Sequence, residues 1–288
     1  MTGGPAQAAG STVRIEDVDI RFGDFLAVNG ASLDIAAGEF VCLLGPSGCG
    51  KSTLLNAVAG FVPPASGRVL VGDRPVTGPD VSRGVVFQSG EALFPWLTVK
   101  QNVEFGPRMR KLPKQRRAAL AEHYLDMVGL APSAKRLPGE LSGGMRQRVQ
   151  LARVLANEPT LVLMDEPFGA LDAQTRQVMQ VELDRIWRES GKTIVFVTHD
   201  IGEALLLADR VVTMTAGPAA RIKEVYEIAL PRPRELTDPD CARLYRRLRD
   251  DIGAEVTKTL RAQGLDDGHA GRTPEGAGAA VIGETHGR

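Results

Sequence analysis

The sequence lacks a charge bias, a cysteine framework and any long apolar run. Lys+Arg and Asp+Glu each number 35, so the formal net charge is zero. The basic excess that accompanies bulk nucleic-acid binding is therefore missing, and no nucleic-acid partner is expected. The three cysteines, Cys42, Cys49 and Cys241, are too few and too scattered for a disulfide framework or a zinc site, and fit reduced thiols. No apolar run approaches the roughly 18 residues of a membrane span. The N-terminal stretch "MTGGPAQAAGST" lacks the charged and apolar regions of a signal peptide. The expectation is a chain that does not cross a membrane alone. What is present is ordinary for a globular protein. Hydrophobic residues make up 43% and charged ones 24% of 288 residues, enough to bury a core in one large or two modest domains.

Residues 1–11 and 265–288 are rich in Gly, Ala and Pro with little periodicity, and are expected to be disordered tails. Apolar alternation in "TVRIEDVDI" predicts a strand over Thr12–Ile20, with another in Phe25–Ile35. "GEFVCLLG" is a short apolar run feeding a Gly-rich loop, and "KSTLLNAVAG" reads as a helix stopped by Gly60. "GRVLVGD" and "RGVVFQ" read as further strands. From about Ser89 to Asn157 the pattern turns helical. There "PKQRRAALAEHYLDMVGL" has Pro113 at a helix start and Leu120, Tyr124, Leu125 and Val128 on one apolar face. Alternation resumes at Thr160 with "TLVLMDEP", a helix over Ala173–Glu189, "TIVFVTHD", a short helix from Ile201, "RVVTM" and "RIKEVYEIAL". This is an α/β unit over residues 12–230 with a helical insertion at about 89–158, not two domains in series. A helical extension is expected over 231–264. Within it "CARLYRRLRDDI" puts Leu244, Leu248 and Ile252 on one face, with Arg243, Arg246, Arg247 and Arg249 around the others. That basic face is either solvated or in contact with lipid head groups.

"GPSGCGKST", from Gly45 to Thr53, matches G-x-x-x-x-G-K-[ST] between a predicted strand and a predicted helix. Glycines let the backbone wrap so that several N–H groups point at phosphate oxygens, and the helix N-terminus adds a favourable field. The nucleotide-binding candidates are Gly45, Pro46, Ser47, Gly48, Cys49, Gly50, Lys51, Ser52 and Thr53. Lys51 would reach the β- and γ-phosphates, and the Ser52 hydroxyl would ligate Mg²⁺. Cys49 reads as a small filler. A thiol at a helix N-terminus can also have a lowered pKa, which would make alkylation there block nucleotide binding. Downstream, "TLVLMDEP" is an apolar strand ending in Asp165 and Glu166. Parallel α/β sheets bind ligands at the carboxyl ends of their strands. Asp165 can hold Mg²⁺ there, and Glu166 lies where it could polarise an attacking water.

These motifs, in this order, resemble the ATP-binding subunits of ABC transporters over about Val13 to Leu230. "LSGGM" looks like the signature L-S-G-G-Q, "VVFQ" the Q-loop ending in Gln88, "GALD" the D-loop with Asp172, and "VTHD" the switch-histidine motif with His199. The resemblance implies a P-loop NTPase core, a RecA-like mixed sheet with an antiparallel β subdomain, carrying an α-helical insertion subdomain. It implies ATP and Mg²⁺ as ligands and a head-to-tail dimer with ATP between two copies. Ser142, Gly143 and Gly144 would serve the partner's γ-phosphate, and Asp172 would lie at the same interface. Gln88 would touch Mg²⁺ and the attacking water. His199 would hold the catalytic geometry with Glu166, and Lys51 would stabilise the reacting phosphate. Phe22 looks like the aromatic that stacks on adenine, with Phe25 the competing candidate. Three positions depart from the family pattern: Met145 for the signature Gln, Gly169 for the D-loop Ser, and Phe22 for the commoner Tyr.

The stretches around Gln88 and Leu141–Arg176 look most like the importer subfamily for nitrate, sulfonate, taurine and related small solutes. That implies membrane permease subunits as partners, a solute-binding protein as an indirect one, and a peripheral position on the cytoplasmic face of the inner membrane. The alternative is a soluble ABC ATPase not coupled to transport. Phe94, Pro95 and Trp96 form a patch that reads either as a permease contact or as an internal anchor.

Overall fold

A computed structural model describes residues 10–87, 93–169 and 171–262, with side chains described as far as Thr259. The first two strands, β1 (Val13–Phe22) and β2 (Phe25–Ile35), form an antiparallel hairpin around Gly23 and Asp24. Gly23 takes φ 58°, a conformation that a side chain resists. With β4 (Ser66–Val71) and β5 (Arg74–Pro75) the hairpin makes a four-stranded antiparallel sheet in the order β2-β1-β4-β5. The second sheet has six strands in the order β10-β9-β3-β8-β7-β6. They are β3 (Phe40–Leu44), β6 (Arg83–Val86), β7 (Leu161–Asp165), β8 (Thr193–Thr198), β9 (Arg210–Met214) and β10 (Ile222–Glu227). All pair in parallel except β10, which runs antiparallel to β9.

The central strands read as continuous apolar runs because both faces are covered. Phe40, Cys42 and Leu44 point to one side, and Val41 and Leu43 to the other. The second side packs on α1 (Lys51–Ala59) and the antiparallel sheet. The first side packs on residues of α3 (Lys114–Met127), α4 (Gly143–Leu155), α5 (Ala173–Ser190) and α6 (Ile201–Leu207). The helical stretch begins with α2 (Val99–Met109), where Thr98 and Gln101 form a reciprocal capping box. Leu120, Tyr124, Leu125 and Val128 are buried, as their spacing predicts.

Two boundaries move. The chain is bonded from Gly10, whose N–H donates to Gly191 O at 3.0 Å, and Ser11 Oγ donates to Thr160 Oγ1 at 2.8 Å. Residues 10 and 11, read as tail, are thus held on the sheet, and residues 1–9 lie outside the described residues. β1 runs two residues past the predicted Ile20, because its partner β2 continues the ladder to Phe25. The expected tail at 265–288 also lies outside the described residues. Helix α7 (Pro239–Ala262) buries Leu248 fully and rests Leu244 and Ile252 against the core. Around its other faces Arg243 pairs with Asp240, Arg247 with Glu224 and Arg249 with Asp250. That pairing leaves little uncompensated charge for lipid head groups and fits a solvated face. Among the described residues no helix is long and apolar enough to cross a membrane.

Candidate active site

β3 delivers the chain to Gly45 at the carboxyl end of the six-stranded sheet, and α1 opens at Lys51. Gly48 and Gly50 take φ 78° and 88°, so these two positions of the loop favour residues without Cβ. Gly50 is the N-cap of α1 and brings no side-chain cap. The first-turn amides of the helix are therefore not claimed by a capping side chain, which is the arrangement that receives an anion. Lys51 is buried, and its Nζ donates to the carbonyls of Gly45 at 2.8 Å and Pro46 at 2.9 Å. The third N–H of the ammonium has only the Cys49 sulfur, at 3.8 Å, a weak partner that a phosphate oxygen would replace.

Across the sheet, Ser52 Oγ donates to Asp165 Oδ1 at 2.8 Å. Burial pushes the Asp165 carboxyl above the usual range; the Ser52 hydroxyl opposes this, the neighbouring Glu166 charge adds to it, and Lys51 opposes it. A hard divalent cation suits this pair. A hydroxyl and a carboxylate oxygen side by side are the hard donors that Mg²⁺ takes. Glu166 has φ 43°, a left-handed conformation that costs a non-glycine residue about 1–3 kcal/mol. Its N–H donates to Val197 O at 3.0 Å, and its carbonyl accepts from Gly169 at 3.1 Å. These bonds turn its side chain toward the end of β8, where His199 Nδ1 lies 3.2 Å from Glu166 Oε1.

The histidine loop has its own support. Thr198 Oγ1 donates to Glu203 Oε2 at 2.6 Å, and Arg176 Nε lies 3.8 Å from Glu203 Oε1. Arg176 also donates to Leu171 O at 3.1 Å, tying α5 to the same corner. Burial pushes the Glu203 carboxyl up, with the Thr198 hydroxyl opposing. Sequence reasoning missed both residues. Their one local signal is a Glu three positions after Asp200, the spacing of a helix start.

The signature residues form the start of α4. Ser142 caps α4 by accepting from Met145 N–H at 3.3 Å. A Cβ on Gly143 would meet nothing within 4 Å, whereas one on Gly144 would lie 2.7 Å from Thr175 Cγ2. Only Gly143 presents open space; Gly144 is glycine because α5 packs there. Met145, the departure from the signature, rests against the core. Asp172 caps α5, with Oδ1 accepting from Thr175 N–H at 3.0 Å and Oδ2 from Thr175 Oγ1 at 2.7 Å. Those bonds hold its carboxyl below the usual range. Phe22 and Phe25 face each other across the hairpin turn, both more than half exposed, so each offers a stacking face. Gln88 lies outside the described residues. Cys49 is fully buried, and burial pushes its thiol up despite Lys51 nearby. Desolvation outweighs the helix N-terminus, and Cys49 acts as filler rather than as a reactive thiol.

Ser52 of the phosphate loop thus meets Asp165, and Glu166 meets His199 beside it, while the signature starts α4 with Gly143 exposed. Residues 28–169 match the family model described as ABC transporter. The taurine import ATP-binding protein TauB of Roseobacter denitrificans is 50% identical over 219 residues, covering 74% of this chain and 81% of TauB. The nitrate import ATP-binding protein NrtC of Synechococcus elongatus is 47% identical over 243 residues, covering 84% of this chain and 37% of NrtC. Among solved structures, the dimeric post-hydrolysis state of the ATP-binding cassette MJ0796, bound to ADP and Pi, superposes with a TM-score of 0.66 at 32% identity. That match covers 76% of this chain and 100% of the other. The mixed sheet, the phosphate loop at its carboxyl end and these likenesses together place the chain in the family of ABC transporter ATP-binding proteins.

Proposed function

We propose that this chain is the ATP-hydrolysing subunit of an importer for a small anion or zwitterion of the nitrate, sulfonate or taurine kind. The observation that carries the ATPase reading is the line Ser52–Asp165 and Glu166–His199 at the strand ends beside the phosphate loop. The phosphate-loop amides and the start of α1 hold the phosphates of the substrate, and Lys51 turns its third N–H from the Cys49 sulfur to a phosphate oxygen. Ser52 and Asp165 would hold Mg²⁺, which would supply neutralisation of phosphate charge. Glu166 orients the attacking water and accepts its proton. His199 fixes the rotamer of Glu166 through its Nδ1 contact. Phe22 or Phe25 stacks on the adenine. A second copy supplies Ser142 and Gly143 across a head-to-tail interface, and the exposed Gly143 supports that reading.

The permease side of the proposal rests on a surface groove of 420 Å³ lined by Phe61, Phe87, Phe94, Phe105, Met109 and Arg153. Phe94 is anchored there, its ring centroid 4.4 Å from that of Phe105, while Trp96 beside it is 72% exposed. An exposed indole next to an aromatic groove suits burial by a partner. Docking there puts the subunit on the cytoplasmic face of the membrane. The names of TauB and NrtC supply the solute class.

The test is Glu166→Gln. It should still bind ATP, accumulate as a dimer on size exclusion with Mg-ATP, and lose turnover by about 100-fold or more. Near-wild-type phosphate release would remove Glu166 as the general base. Recovery of the wild-type chain with integral membrane subunits after mild detergent extraction supports coupling to transport, and its recovery alone favours a soluble ATPase.

A further inference from the structure

The helix α7 lies beyond the motifs, yet one of its side chains reaches back to the nucleotide site through a short strap, residues 215–220. Glu255 is 2% exposed and gathers three donors: Ala216 N–H at 2.9 Å, Lys223 Nζ at 2.8 Å and Lys258 Nζ at 2.7 Å. Burial pushes its carboxyl up, but Lys223, Lys258 and the Ala216 N–H outweigh this and hold it at about 2. A buried carboxylate stays only where such donors replace water. Asp251, one turn earlier on α7, shares Lys223, whose Nζ also donates to the Asp251 carbonyl at 3.2 Å.

The strap held this way touches the phosphate loop at its glycine turn, and the residue before the strap touches the loop's start. A Cβ on Gly217 would sit 3.0 Å from the Gly48 carbonyl oxygen, so the strap backbone lies directly on the loop's glycine turn. A Cβ on Gly45 would lie 3.3 Å from the carbonyl oxygen of Met214, the last residue of β9 before the strap. Further on, Ala219 N–H donates to Leu26 O at 2.8 Å and Ala220 N–H to Ala27 O at 3.1 Å. Those bonds fix the hairpin that carries Phe22 and Phe25. The same stretch of β2 meets the helix cap, because a Cβ on Gly50 would be 3.0 Å from Val28 Cγ2. The glycine turn and the aromatic hairpin therefore border the strap itself, the loop start borders Met214 just before it, and the helix cap borders Val28 of the same hairpin, while Ala216 N–H ties the strap to α7.

We propose that Glu255 is a positioning residue for nucleotide binding, holding the strap against the phosphate loop through its bond to Ala216. The proposal rests on the ATP-binding reading above. By linkage, a nucleotide that needs the loop in this shape also stabilises the Glu255–Ala216 contact. The contact counts as positioning because Glu255 itself touches none of the phosphate-loop residues.

The test is titration calorimetry of Mg-ATP with the full chain as wild type, Glu255→Ala and Glu255→Gln. Glu255→Ala should raise the Kd for ATP about tenfold, and Glu255→Gln, which keeps an acceptor for Ala216, should recover most of the loss. A second measurement needs no variant: amide hydrogen exchange of the wild type with and without Mg-ATP should show slower exchange at Ala216. Wild-type binding with unchanged affinity in Glu255→Ala overturns the proposal and leaves the ATP-binding reading intact. So does protection of the phosphate loop without protection of Ala216, even where Glu255→Ala fails to fold. Absence of any ATP binding by the folded wild type overturns the underlying reading, and this proposal with it.

Discussion

Gly143→Ala and Gly144→Ala add one methyl group each, one residue apart, and should fail in different ways. At Gly144 the new carbon would lie 2.7 Å from Thr175 Cγ2, against an optimal carbon–carbon contact of about 3.5–4.0 Å. Thr175 has little freedom to yield. It is β-branched, and its N–H and hydroxyl both bond to Asp172, at 3.0 and 2.7 Å. Overpacking of this kind costs about 1–3 kcal/mol, offset by at most about 1 kcal/mol of helix propensity. The net loss should be on the order of 1 kcal/mol. At Gly143 the methyl meets nothing within 4 Å, so the isolated chain should be as stable as wild type or slightly more so. Urea denaturation without nucleotide should therefore lower the midpoint for Gly144→Ala only. If Gly143 faces the nucleotide of a second copy, Gly143→Ala should slow ATP turnover by on the order of tenfold or more, since small misplacements are costly at a reacting site. A fully active Gly143→Ala would refute the interface. A Gly144→Ala chain as stable as wild type would refute the packing of α4 on α5.

Two further outcomes follow from buried titratable groups. All three cysteines are buried and free, and burial pushes the Cys49 thiol up, so native protein at neutral pH should react slowly with a disulfide reagent and quickly once unfolded; rapid labelling of native Cys49 would contradict its role as filler. Glu255 is held at about 2, below the ordinary 4.5. Because its folded pKa is depressed, its contribution is complete above about pH 4.5 and lost as pH falls toward 2, up to about 3 kcal/mol by linkage. Between pH 5 and 3 the wild type should therefore lose more urea stability than Glu255→Gln, and parallel losses would contradict the assignment.

Local features were legible in the sequence because neighbours along the chain decide them. The G-x-x-x-x-G-K-S loop announces its own positive-φ glycines. Gly60 stops α1 in the left-handed conformation at φ 85°, as a helix-terminating glycine should. The strand ending in Asp165 and Glu166 follows from an unbroken apolar run bounded by charge. Domain class followed from the alternation of such segments.

The tertiary structure decided the rest. Ser52 meets Asp165, and Glu166 meets His199, because β8 lies between β3 and β7, an order that no local pattern specifies. The two signature glycines look alike in sequence, yet one faces open space and the other a threonine of α5. Lys51 bonds to its own loop, burial at Cys49 outweighs the neighbouring helix start, and Glu255 reaches Ala216 across 39 positions. Propensity and periodicity act over a few residues. Contact, desolvation and charge pairing act through space, and only the folded chain sets those distances.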